Sequence, residues 1–308
     1  MTNEAAYLNR ILSYIQEKDP LHYKKVRKNI DELTHAYQSE FNGFLLLLVR
    51  FFSERNLPAE KVTADYLKMI DDMRIEGMHF KKNKKYSCTN QHNAYVNVYS
   101  KPEIMEYYMN ALLLSQVLWT HHFKMLMFFS TQLKQEFLSA VKNVLDIGPG
   151  HGFFSYLVIE NLATINDIDV VDISDGSLEM TKAIIGDGNG KIQYFNRDIF
   201  KYESNKTYDL IILGEVLEHL DEPLLILKKL RSMLSNNGYL WLTTPTNAPA
   251  LDHVYLFRSK QEIVDLLHAA DLEVVYEFGC FAEDVSEEMA VRFDISYLYG
   301  AFLKNKTA

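Results

Sequence analysis

Two carboxylates and two imidazoles stand at spacings that could hold a cation or move a proton. Glu215 and Glu218 are three residues apart, His219 is adjacent, and Asp252-His253 follows further down the chain. Carboxylates with imidazoles suit a divalent ion. An imidazole alone, with a pKa near neutrality, suits a general base.

A second set of residues could seat a polar ligand. Val144-Leu145-Asp146-Ile147 is an apolar run that enters Gly148-Pro149-Gly150-His151-Gly152 and then Phe153-Phe154. Glycines allow a sharp turn and close approach of the backbone to a ligand, and a following helix offers its free amides. A dinucleotide fingerprint needs its third glycine one position later, where Phe153 stands, so nicotinamide chemistry is disfavoured. Downstream, Val170-Val171-Asp172 ends an apolar run with an acid that can accept both hydroxyls of a ribose. Asn196-Arg197-Asp198-Ile199-Phe200 repeats the pattern of an acid beside an apolar residue.

The elements that must position these groups alternate. Strands are expected at about 142–147, 168–172, 191–195, 209–214, 238–244, 272–279 and 294–303. Helices are expected between them at about 152–162, 177–184, 222–234 and 259–270, with none between the last two strands. That alternation marks a parallel α/β sheet closed by an antiparallel pair. Residues 1–79 read as helical instead, with Tyr7, Ile11, Tyr14 and Ile15 at spacings of three and four. Pro58 fits a helix start and Gly77 its end. Residues 78–88, with their lysines, read as a hairpin with a basic tip. Ser100-Lys101-Pro102-Glu103 reads as a capping box opening the first of two helices, about 101–120 and 122–139.

With Asp146, Gly148, Gly150, Gly152, Asp172, Asp198 and Glu215-Val216-Leu217-Glu218-His219-Leu220 in this order, the chain resembles class I S-adenosylmethionine-dependent methyltransferases. The EVLEHL string resembles the branch that includes quinone-biosynthesis enzymes. The resemblance implies a Rossmann-like, doubly wound, seven-stranded sheet at residues 136–308, with S-adenosylmethionine as cofactor. It implies that Asp146 organises the glycine loop, that Asp172 holds the ribose, and that Asp198 and Ile199 take the adenine. Glu215 would lie near the cofactor, and His219 or His253 would face the acceptor, with His253 the first choice of base. The spacing of Glu215, Glu218, His219 and His253 also resembles the metal site of plant-type small-RNA 2′-O-methyltransferases, although EVLEHL occurs in members that need no metal. The metal reading is kept as the alternative. A SAM-binding scaffold without catalysis is the alternative of another class.

The order helix, helix, hairpin in residues 1–135 resembles the winged-helix dimerisation half of small-molecule O-methyltransferases, so a helical cap and a homodimer are expected. Tyr95 and Tyr99 lie where related enzymes fold a segment over the cofactor, whereas Tyr107 and Tyr108 read as core. His121 and His122, and the methionines Met73, Met78, Met109, Met125 and Met127, read mainly as packing. The net charge of −9 over 308 residues offers no footprint for phosphates, so a small-molecule acceptor is expected and nucleic acid is not. Cys88 and Cys280 lack metal spacing and fit a reducing cytoplasm. Neither a signal sequence nor a membrane span is legible.

Overall fold

The computed structural model describes residues 3–306. Four helices lead the chain: α1 (Asn3–Lys18), α2 (Pro20–Ala36), α3 (Gln38–Glu54) and α4 (Ala59–Asn83). Asp19 caps α2 by accepting from the His22 amide at 2.9 Å, with Pro20 in the first turn. A single turn, α5 (Gln91–Ala94), widens into a π-helical turn over Tyr95–Tyr99. Helices α6 (Pro102–Leu118) and α7 (Thr120–Leu133) follow.

Three expectations fail here. Helix α4 does not stop at Gly77 but runs to Asn83, where Lys84 closes it in the left-handed conformation (φ 54°). Gly77 has no heavy atom within 4 Å of its missing Cβ, so it is an ordinary helical position. Phe80, buried beyond it, anchors the extra turns, and Lys81 and Lys82 suit the negative end of the helix. The hairpin, and with it the winged helix, is therefore absent among the described residues. The capping box is absent too. Lys101 occupies the cap of α6 without a side-chain bond, and the Ser100 hydroxyl donates to the Val96 carbonyl at 3.0 Å.

From residue 143 the chain alternates as expected: β1 (Asn143–Ile147), α8 (Phe153–Asn161), β2 (Asp167–Asp172), α9 (Asp175–Ile185), β3 (Ile192–Asn196), β4 (Tyr208–Gly214), α10 (Pro223–Met233), β5 (Leu234–Thr246), α11 (Lys260–Ala269), β6 (Leu272–Phe281), α12 (Glu287–Arg292) and β7 (Tyr297–Asn305). The short α12 was not expected between the last two strands. The seven strands lie in the order β3-β2-β1-β4-β5-β7-β6. The pairs from β3 to β5 are parallel, and β7 inserts antiparallel between β5 and β6. This is the Rossmann-like sheet with a reversed final hairpin.

One face of the sheet carries the N-terminal helices and the other carries α10 and α11. On the first face the apolar core is continuous from Tyr7 in α1 to Phe302 in β7. Phe129 of α7 lies 4.9 Å from Trp241 and stacks on Phe302 at 5.6 Å, while Phe44 of α3 meets Phe153 at 5.1 Å. Among the described residues no helix is long and apolar enough to cross a membrane.

Candidate active site

The strand order reverses between β1 and β4, which opens a crevice at their carboxyl ends, the usual place for a ligand in an open α/β sheet. The glycine turn lies there. Gly148 has φ +60°, and a Cβ on it would come within 2.7 Å of Val216 Cγ2. Gly152 (φ +73°) would bring a Cβ to 3.2 Å from the Thr181 backbone, so glycine lets α8 start against α9. Asp146 is buried beneath the turn and accepts from the Ser155 hydroxyl at 2.6 Å. Burial lifts its carboxyl to about 7, with the Ser155 bond working against the rise.

Asp172 ends β2, half-buried, and accepts from the Ser174 amide at 2.7 Å. Burial raises it to about 7 as well, against three local hydrogen bonds that lower it. Beside it, Ile173 is 41% exposed, an apolar surface at the mouth of the crevice that the sequence reading passed over. Asp198 caps the short turn Ile199–Lys201 by accepting from the Phe200 amide at 2.9 Å, while Ile199 is buried in the sheet's opposite core. Asp146, Asp172 and Asp198 thus gather at the ends of β1, β2 and β3 as the motif order implied.

Glu215 follows β4 in the left-handed conformation (φ 55°), a costly backbone state for a residue with a side chain. Its amide donates to the Thr243 carbonyl and hydroxyl, each at 3.0 Å, which holds that state. The turn Leu217–His219 then brings Glu218 inward. Glu218 is fully buried; one carboxylate oxygen accepts from the Thr244 hydroxyl at 2.8 Å, and Oε1 has no partner. Glu215 Oε1 is likewise buried without a partner among the described residues. Burial and, for Glu218, the neighbouring Glu215 push both carboxyls upward.

The main-chain carbonyl of Glu218 accepts from the amides of Val254 (2.7 Å) and Tyr255 (2.8 Å), pinning the loop after β5 against the turn after β4. His219 and His253 therefore meet edge to face at 4.8 Å, and Glu218, His219 and His253 each offer a ligand atom within 4.8 Å of the others. The protons can be placed. His253 Nδ1 lies 2.5 Å from the Ala248 carbonyl, which only accepts, so Nδ1 carries hydrogen and Nε2 the lone pair. The Tyr99 hydroxyl donates to Asp252 Oδ2 at 3.0 Å and therefore accepts from His219 Nδ1, also at 3.0 Å. The Asp252 carbonyl is a further acceptor at 3.1 Å, so His219 too has its lone pair on Nε2. Burial, then His219, lowers the His253 imidazole to about 4.

Asp252 was not singled out from sequence. It is buried and receives both the Tyr99 and Tyr108 hydroxyls at 3.0 Å. Burial works to raise its carboxyl, but His219, His253 and the two hydroxyls together hold it low. Tyr108 thus bonds into the site although it read as core. The π-helical turn delivers Tyr99, consistent with the frequent placement of such turns at functional sites. Tyr86, from the stretch expected to be a hairpin, accepts from the Ala248 amide at 3.0 Å and packs edge-on against His253 at 5.7 Å. His121 and His122 lie elsewhere, against Trp119 at the junction of α6 and α7.

A cavity of about 750 Å³ lies between the N-terminal helices and the start of α9, just beyond Asp172. Tyr95, Tyr99, Met105 and Met109 line it on one side, and Ile173, Asp175 and Gly176 on the other.

Residues 121–277 match a family model described as a methyltransferase domain. The malonyl-[acyl-carrier protein] O-methyltransferase of Halalkalibacterium halodurans is 31% identical over 161 residues, 48% of this chain and 59% of that one. The ubiquinone biosynthesis O-methyltransferase of Actinobacillus pleuropneumoniae is 26% identical over 188 residues, 53% of this chain and 79% of that one. Against another malonyl-[acyl-carrier protein] enzyme, from Ilyobacter polytropus, the chain spans 37% of the relative's length. Among solved structures, mitomycin 7-O-methyltransferase superposes with a TM-score of 0.53 at 12% identity, covering 76% of this chain and 67% of that one.

Proposed function

The chain belongs to the methyltransferase-domain family with S-adenosylmethionine as its cofactor, and we propose that it transfers the cofactor's methyl group to an oxygen of a small-molecule acceptor. The observation that carries the reading is the row Asp146, Asp172 and Asp198 at the ends of three adjacent strands, around a glycine turn that a side chain would block. The turn admits the methionine part, Asp172 accepts the ribose hydroxyls, and Asp198 with the exposed Ile173 receives the adenine. The curated relatives are named as O-methyltransferases, which favours oxygen over nitrogen or carbon.

The sulfonium is a very good leaving group, so the protein's work is alignment, exclusion of water and handling of the acceptor's proton. Helices α3 and α6 and the Tyr95–Tyr99 turn roof the cavity, whose volume suits a small ligand. On this reading the acceptor hydroxyl lies beside Glu218, His219 and His253, which lie behind Tyr99, a residue that lines the cavity and bonds to His219. The His253 Nε2 lone pair can take its proton directly, or can join its neighbours as a ligand.

The test is calorimetry of the full-length chain with S-adenosylhomocysteine, followed by mass-spectrometric detection of methylated product across a panel of phenols, acids and amines. Binding with O-methylation of a panel member is expected. A folded protein that binds no S-adenosylhomocysteine, or methylates only amines, overturns the reading.

A further inference from the structure

We propose that a small cavity beside the end of α4 binds an organic ammonium group against Glu76, and that in the methyl transfer this group belongs to the acceptor. The second half rests on the methyltransferase reading. The first half stands on the cavity itself.

Glu76 lies in α4 and is only 9% exposed. The Ser87 hydroxyl donates to its Oε2 at 2.5 Å, and among the described residues nothing else bonds to the carboxylate and no cation pairs with it. A carboxylate this deep ordinarily has a cation or several donors, because an unpaired charge is costly to desolvate. Its Oε1 is not sealed in protein but opens on a cavity of about 280 Å³.

The walls fix the chemistry of what fits. No lysine or arginine lines the cavity. Asn93 gives an amide hydrogen to the Thr89 hydroxyl at 2.9 Å, which leaves its side-chain carbonyl as an acceptor. Asn97 adds a second amide, and Val98, Ile104 and Leu251 supply apolar surface. A fitting ligand therefore brings N–H donors, a positive charge and a hydrocarbon stem, and a primary alkylammonium has all three. A metal ion does not fit. Cys88 is the only other metal-ligating side chain on the walls, and among the described residues no metal-binding group of three includes Glu76. The volume is at the lower end for ligand cavities, room for the aminoalkyl end of an acceptor.

Position ties the cavity to the reaction. Leu251 precedes Asp252, Val98 precedes Tyr99, and Ser87 follows Tyr86, whose ring packs on His253 at 5.7 Å. The cavity thus backs onto the groups beside which the proposed function sets the acceptor hydroxyl. An ammonium paired with Glu76 has no lone pair, so it serves as a handle and is not methylated. In the transfer the methyl C–S bond breaks with its electron pair kept by sulfur, a C–O bond forms from the acceptor oxygen, and the hydroxyl proton passes to water. The acceptor class is a hydroxyl compound with a primary amine a few carbons away.

The experiment is calorimetric titration of full-length protein, in the presence of S-adenosylhomocysteine, with matched pairs that differ only in an amine: tyramine against para-ethylphenol, and aminobutanol against butanol. In at least one pair the amine is expected to bind wild type at least about tenfold more tightly. Glu76→Gln, which can still accept from Ser87, should bring that pair to equal affinity. Asn97→Lys sets a cation in the wall at an exposed position and should do the same. Unchanged S-adenosylhomocysteine affinity shows that a variant is folded, and if Glu76→Gln fails that check, Asn97→Lys decides alone. Equal affinities in both pairs for wild type overturn the proposal, as does a folded variant that keeps the wild-type preference. Methylation of the tyramine nitrogen, read by mass spectrometry, overturns the second half. An amine preference in protein that binds no S-adenosylhomocysteine would sink the methyltransferase reading and leave the ammonium site standing.

Discussion

In the proposed function Asp172 receives the cofactor's ribose, and that role can be tested at the residue itself. Removing its carboxylate in Asp172→Ala is expected to weaken S-adenosylhomocysteine binding by about 1.5–3 kcal/mol, the range of a charge-assisted hydrogen bond. Calorimetry showing wild-type affinity in a folded variant would refute the role. Its protonation adds a pH signature. Burial raises the folded, unliganded carboxyl from 3.8 to about 7, and a ribose held through two accepted hydrogen bonds favours the charged form. Binding therefore releases a proton below pH 7, and affinity should fall by up to about tenfold per pH unit below it and level off above. Stability of the unliganded protein runs the other way. Between pH 4 and 7 the folded state holds a proton that the unfolded chain has lost, so the contribution of Asp172, joined by Asp146, declines as pH rises through that window. A binding curve flat from pH 5.5 to 8 would remove the raised carboxyl from the argument. These acids were legible because motif order fixes residue types. The direction of the His219 and His253 lone pairs was not, because the acceptors that decide it, Ala248 and the Tyr99–Asp252 pair, come from remote segments.

Helix α4 shows what local signals conceal at the scale of an element. Glycine followed by a short polar, lysine-rich stretch reads as a helix stop and a turn, yet the helix continues six residues beyond Gly77 to Asn83. Tertiary packing decides it: Phe80 is buried, and its ring meets Tyr86 at 5.7 Å, closing the helix end against the loop that supports His253. The continuous helix makes a prediction opposite in sign to the helix-stop reading. Gly77→Ala adds a methyl group where no atom lies within 4 Å, at a helical position with no positive φ. The variant should be more stable by about 0.5–1 kcal/mol in urea unfolding. A loss of stability would mean that the helix ends where the local signal suggests. Strands β1 to β5 were legible within a few residues because buried parallel strands are nearly continuous apolar runs bounded by turn residues. The unexpected α12 has only six residues and leaves a periodicity too short to see.

For the whole molecule, the question is whether the helical portion is a detachable cap or part of one core. The division expected from sequence near residue 135 follows a change of texture, and the dimer expectation rested on a winged helix that the fold lacks. What the helices do within a single chain is plainer. Helix α7 lays Phe129 against Phe154, Trp241 and Phe302, and α3 lays Phe44 against Phe153 at the first turn of α8, next to the glycine loop. Helix α6 lends Tyr108, and the turn before it Tyr99, to the carboxylate of Asp252. A chain beginning at Lys134 would therefore expose one apolar face of the sheet, leave Trp241 and Phe302 in water, and free Asp252 from two of its hydrogen bonds. Large apolar faces laid bare in this way drive aggregation or a loosely packed state. The truncated chain is expected to be insoluble, or to keep its far-ultraviolet dichroism while losing a cooperative thermal transition and S-adenosylhomocysteine binding. Calorimetry and dichroism on the purified fragment decide it. A soluble fragment that unfolds cooperatively and binds S-adenosylhomocysteine with full-length affinity would mean that the sheet's face is self-sufficient, and that the helices are an appended domain.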